Sequence, residues 1–166
     1  MKRTLSKIVC AVLACLVLVL AGCNESTYPK DVNTTEIATQ LMQKTPTASQ
    51  WVSDDQAFIA EYVNLSDVKE SQIFYAQNTN DLDEFGVFEV ADGKAKEVRN
   101  QILQGYLQKR YNENREWYDS YMPTETPKLR DAEVRIYGNC VAYAILSPEG
   151  RKAFFSECER LLKEQK

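Results

Sequence analysis

The feature that most constrains this chain is an uncharged apolar run close to its start. Ile8 to Leu20 holds no charged residue for 13 positions, behind a positive segment of Lys2, Arg3 and Lys7. As a helix at about 1.5 Å per residue it would reach roughly 20 Å, short of the ~30 Å hydrocarbon core of a bilayer. Its length and flanks are those of a signal-peptide core rather than a stable span. The folded unit must therefore be built from the residues beyond this run.

The run ends in Leu20-Ala21-Gly22-Cys23, and polar Asn24-Glu25-Ser26 comes at once. This tetrapeptide resembles the lipobox of bacterial lipoproteins. The resemblance implies a diacylglyceryl thioether (palmitate-type chains) on Cys23 and cleavage just before it. The residue types suit that chemistry. Small Ala21 and Gly22 admit a protease to the backbone, and a thiol is a soft nucleophile for alkylation. An ordinary secretory signal cut nearby and an uncleaved anchor are the alternatives. A single acyl chain holds a protein only marginally, whereas two chains on one residue give a stable membrane anchor. The expected organisation is a signal peptide over 1–22, the lipidated cysteine and a tether over 23–33, and one domain over 34–166. The expected address is the extracytoplasmic face of the cell membrane.

Charge and cysteine content narrow the partners. The chain has 20 Lys+Arg against 24 Asp+Glu and no His. Loss of residues 1–22 removes three basic residues and no acidic one, so the net charge moves from -4 to -7. That surface repels nucleic acid and anionic headgroups alike, leaving the covalent lipid as the link to the membrane. Without His there is no Ser-His-Asp or Cys-His pair and no His-ligated metal. The five glycines that remain match neither dinucleotide nor P-loop spacing, so no cofactor is expected. Cys140 and Cys158 are the two thiols left after Cys23 is consumed. They are read either as a disulfide, permitted outside the cytosol, or as thiols buried in apolar surroundings.

Periodicity then divides the domain. Asn33 with Glu36 is capping-box-like, ahead of Ile37, Ala38, Leu41 and Met42 on one helical face. Ser53 and Gln56 repeat the signature before Phe58, Ile59, Tyr62 and Val63, predicting a second short helix. QIFYAQ over 72–77 and FGVFEV over 85–90, joined by a polar turn, predict a hairpin. A long helix is expected from Asp92 as N-cap to about Tyr118, along Val98, Ile102, Tyr106, Leu107 and Tyr111. AEVRIY over 132–137 and CVAYAIL over 140–146, joined by Gly138-Asn139, predict a second hairpin with a two-residue turn. Ser147 and Pro148 open a last helix striped by Phe154, Phe155, Cys158, Leu161 and Leu162. The expected fold is α+β. It has a four-stranded antiparallel sheet of two hairpins, with the long and C-terminal helices on one face, after two short helices.

In this order the elements resemble the domain of unknown function 4358 family, small lipoproteins of Gram-positive anaerobes. The resemblance covers about residues 34–164. It rests on Asp83-Glu84-Phe85-Gly86-Val87-Phe88, the long charged helix, Tyr121-Met122-Pro123 and Gly138-Asn139-Cys140-Val141. The chain departs from the family at Cys140, where an aromatic is expected, and in the less acidic Thr124-Glu125-Thr126. The resemblance implies a lipid anchor, a surface location and a small α+β domain, and it carries no catalytic residue.

Three constellations remain. Asp81-Leu82-Asp83-Glu84 is read as a solvated turn; a calcium loop would need six to eight oxygens and a turn this run lacks. Glu84 is alternatively placed to receive the first-turn amides of a neighbouring helix. Trp117, Tyr118 and Tyr121 lie three and four residues apart, as a partner-binding patch or as caps on the core. Paired carboxylates for a glycosidase need a groove, and Glu113, Glu116 and Asp119 are expected to solvate a helix end instead. The reading is a non-catalytic binding module for an envelope protein or glycan, with no metal site; the alternative is a small cell-envelope hydrolase.

Overall fold

The computed structural model describes residues 27–54 and 59–165; the leader and Cys23 lie outside the described residues. Helix α1 (Thr34–Lys44) comes first, capped as expected by Asn33, whose side chain accepts from the Glu36 amide at 3.0 Å. Strand β1 (Trp51–Asp54) is next, then β2 (Val68–Ala76) and β3 (Glu84–Val90). A helical rod comes after them: α2 (Ala95–Asn100), a π-helical stretch (Gln101–Gln108) and α3 (Lys109–Glu113). Short helices α4 (Arg115–Tyr121) and α5 (Thr126–Arg130) lead to β4 (Glu133–Tyr137), β5 (Cys140–Ile145) and α6 (Pro148–Glu164).

The sheet is antiparallel throughout, with five strands in the order β1-β2-β3-β5-β4. Both expected hairpins form. Gly138 takes φ 62°, which lets a two-residue turn join Tyr137 to its partner Cys140. The fifth strand corrects the short helix expected from Ser53. Trp51 and Val52 pair with Ala76 and Tyr75 instead, and the Trp51 indole donates to the Thr45 carbonyl at 2.9 Å. What survives of that helix among the described residues is one 3₁₀ turn, Ile59–Glu61.

The helices do not share one face. α1 and α6 cover one side of the sheet, where Ile37, Leu41, Phe154, Phe155 and Leu162 pack on Phe85, Val87, Ala142 and Ala144. The rod covers the other, with Val98, Ile102, Tyr106 and Leu107 on Phe88, Val141, Tyr143 and Ile145. The reason is in the central strands. Every residue of β3 and β5 is buried, and successive side chains point to opposite faces, so both faces need cover.

Two boundaries also move. The long helix starts after Lys94 rather than at Asp92, because Gly93 turns the chain at φ 78° and Asp92 instead accepts from Asn139 at 2.6 Å. It breaks at Asn114, before Tyr118. Residues 28–33, expected as an open tether, are docked on the domain. The Tyr28 ring meets Tyr137 at 5.4 Å, the Lys30 carbonyl accepts from Asn139, and Val32 is buried.

Candidate functional site

The acidic run is not a solvated turn. β3 begins at Glu84, and the strand's alternation sends Asp83 and Glu84 to different surroundings, both buried. Glu84 Oε1 accepts from the hydroxyls of Tyr106 at 2.7 Å and Tyr143 at 2.6 Å, and Oε2 accepts from Arg110 Nη1 at 2.9 Å. Arg110 also donates from Nη1 to the Tyr106 hydroxyl at 2.7 Å and from Nε to the Tyr118 hydroxyl at 3.1 Å. Both carboxylate oxygens are thus engaged, by tyrosines and a guanidinium rather than by helix amides. Tyr143 reaches Glu84 across Gly86, its partner in the ladder; a Cβ there would stand 2.4 Å from the Tyr143 ring. The π-helical stretch, a geometry frequent at functional sites, carries Tyr106. Burial, and then the Glu84 charge, push the Tyr106 and Tyr143 hydroxyls well above the ordinary phenol range.

Asp83 joins a second cluster. Lys128 Nζ, presented by α5, lies 2.7 Å from Asp83, 2.7 Å from Glu125 and 3.2 Å from Asp81. The three acids bring their oxygens within 4.8 Å of one another, the donor set a hard cation would want, and the Lys128 ammonium bonds to all three. Burial opposes the charge on Lys128, but hydrogen bonds to Asp83 and Glu125 outweigh it and hold the ammonium above its usual pKa. Burial raises the Asp83 carboxyl. Burial acts on Asp81 in the same sense, but the Asp83 amide and Lys128 overcome it and lower its pKa.

Two clefts open beside these clusters. The first, ≈ 530 Å³, is walled by Tyr75, Thr79, Asp81, Leu82, Glu84 and Arg110. The second, ≈ 540 Å³, lies between Lys44, Lys128, Ser147 and Glu157. Asp83 lines both. At the second, Arg160 and Lys44 hold the Glu157 carboxyl down to about 2; its strongest partner is Arg160.

The residues singled out from sequence divide. Trp117 and Tyr121 are exposed, at 52% and 74%, with ring centroids 5.7 Å apart. Tyr118 turns inward, is buried, and accepts from Arg110. The predicted trio is therefore an exposed pair and one network member. Glu113, Glu116 and Asp119 are exposed. Cys140 and Cys158 are free, fully buried thiols; a hydrogen bond to Cys158, then burial, raises the Cys140 thiol well above the usual range. Sequence reasoning misses Arg110, Lys128, Tyr106 and Tyr143 as site residues. The signal that could find them is the pair of adjacent acids opening a strand otherwise made for burial, which demands internal counter-charges.

The family model for Domain of unknown function (DUF4358) matches residues 50–146, more than half of the chain, and the chain belongs to that family. The match spans β1 to β5 and contains both charge clusters. No curated protein and no solved structure matches it. Among the described residues, no helix is long and apolar enough to cross a membrane.

Proposed function

We propose that this family member is a lipid-anchored, extracytoplasmic binding module whose cleft at Tyr75, Glu84 and Arg110 takes a neutral, hydroxyl-bearing ligand of the kind a wall glycan offers. The observation that carries the reading is the state of Glu84. Both its oxygens are held by fixed partners within 2.9 Å, so it orients Arg110 and two hydroxyls rather than shuttling a proton. Fixed donors and acceptors beside an exposed ring, Tyr75 at 40%, suit a sugar, which offers hydroxyls at its edge and C–H groups on its face. The leader and Cys23 support the address.

A second reading, a hydrolase, has one observation in its favour. Asp83 is pushed up and Asp81 down within one cluster, as an acid and a base would be. Lys128 bonds to both, which favours the binding reading. Titration with N-acetylglucosamine oligomers and solubilised wall glycan separates the two. Binding should saturate without release of reducing ends and should be lost in Tyr75→Ala. Turnover that disappears in Asp83→Asn would replace the binding module with an enzyme.

A further inference from the structure

The docked segment 28–33 fixes where the chain enters the domain, and the sheet fixes how far the cleft lies from that point. Tyr28 meets Tyr137 edge to face and donates to Glu159 at 3.2 Å; Asn139 reaches both the Lys30 carbonyl and Asp92. The entry point therefore sits at the β4–β5 turn, beside the end of β3, since Glu89 pairs with Cys140. Glu84 is at the other end of that strand, paired with Ile145. Five residues at about 3.4 Å separate the ends by roughly 17 Å.

The other elements run the same way. α1 begins beside Gln165, where the Asn33 amide is received, and ends at Thr45, whose carbonyl accepts from Trp51. α6 begins at Ser147, in the cleft lined by Asp83 and Lys128, and returns toward Tyr28. The rod starts at Lys94, paired with Asp67, and reaches Glu84 at Arg110. Both charge clusters, both clefts and the α4 aromatic pair gather at the end opposite the entry. Only four residues lie between Cys23 and Tyr28, and the five steps bound that link at about 17 Å fully extended.

We infer that the domain stands on the membrane by its β4–β5 turn and carries its ligand cleft at the opposite pole, facing the wall rather than the lipid. The inference rests on the anchor at Cys23. With the leader gone the net charge of -7 also holds the domain off an anionic bilayer. A link this short keeps the entry pole as the part of the domain nearest the anchor.

The chain contains two tryptophans, and both mark the far pole: Trp51 pairs with Ala76 beside Asp83, and Trp117 sits on α4 next to Tyr118. The protein is purified from membranes and its intact mass is read first. Two added acyl chains support the anchor, and a free Cys23 thiol overturns the anchor reading alone. Orientation is then read in anionic vesicles carrying headgroup spin labels. The native lipoprotein serves, or, given a free thiol, the chain without residues 1–22 carrying a dialkyl maleimide on Cys23, since Cys10 and Cys15 leave with the leader and Cys140 and Cys158 are buried. Native tryptophan emission should be unchanged by the spin labels, while the emission added by Lys30→Trp should be lost. Equal quenching of native and added tryptophans overturns the orientation, whatever the mass showed.

Discussion

Asp83 and Glu84 are neighbours in sequence, yet they enter two different kinds of ionic site. Glu84 is held between the sheet and the rod, on the wall of the first cleft, with one guanidinium and two tyrosine hydroxyls on its oxygens. Asp83 shares one ammonium with Asp81 and Glu125 at the lip of two clefts. In the first site each charge has one opposite. In the second, three acids crowd one cation. The difference teaches that a single strand end can hold a one-to-one ion pair and an acid-rich cluster, because alternation separates them by one residue.

The sharpest way to break this contrast is to remove one partner from each site. Arg110→Met leaves the Glu84 charge buried and unpaired, and stability should fall by about 3–5 kcal/mol in a denaturant midpoint measurement. Adding Glu84→Leu removes the buried charge and should recover part of that loss, the remainder being the bonds that Tyr106 and Tyr143 gave to the carboxylate. If Arg110→Met costs no more than the loss of Lys128, the two sites are energetically alike and the contrast fails.

Next in size is a tyrosine hydroxyl. Tyr143→Phe removes one of two donors to Glu84 Oε1, and a buried bond to a charged group contributes about 1.5–3 kcal/mol. pH sharpens the same point. Burial, reinforced by the Glu84 charge, raises Tyr106 and Tyr143 in the fold. A raised folded pKa means their contribution is whole below the unfolded phenol value of about 10 and is lost as pH climbs toward the folded one. Thermal stability should therefore begin to fall above about pH 8.5, where the unfolded Cys140 thiol ionises, and fall faster above about pH 10, less steeply there in Tyr143→Phe. An unchanged alkaline slope in that variant would place the hydroxyl outside the network.

Lys128→Met should cost less, about 1–2 kcal/mol, between an exposed pair and a buried one. Three carboxylates would then face one another without their cation. The variant's melting temperature should rise with added calcium, while that of the parent should not. A calcium response in the parent as strong as in the variant would mean that Lys128 does not hold the site.

Much of the architecture is legible in the sequence, for reasons that differ by element. Both hairpins follow from alternation and from Gly138-Asn139, and α1 and α6 follow from Asn33 and Ser147, whose side chains cap them as their types suggest. β1 escapes such reading because a four-residue edge strand has no period of its own; Trp51 is fixed by Phe85 and Thr45, contacts that lie far away in the chain or outside the strand. The placement of helices on both faces is written in the apolar stretches 85–88 of β3 and 140–145 of β5, where neither alternate set of side chains is polar. The candidate site is half legible. Its acids stand in plain view, but Arg110 and Lys128 reach them from 26 and 45 residues away, and no spacing rule selects two cations among 20.

The smallest effect on stability belongs to the residues with the plainest aromatic signature. Trp117 and Tyr121 face each other and solvent, with Trp117 also meeting the Tyr118 ring edge-on at 5.2 Å, whereas Tyr118 between them is locked to Arg110. Substituting surface residues away from caps, ion networks and core leaves stability within about 0.5 kcal/mol. Trp117→Ala with Tyr121→Ala should therefore cost no more than the edge contact on Tyr118, about 0.5–1.5 kcal/mol, while Tyr118→Phe should lose more by removing an acceptor from the half-buried guanidinium of Arg110. If the exposed pair extends the glycan site at the far pole, capture of solubilised wall glycan should drop in the double variant and persist in Tyr118→Phe. Equal capture by parent and double variant would confine recognition to the cleft at Tyr75 and Arg110. A melting loss in the double variant as large as that of Tyr118→Phe would instead make the pair part of the core.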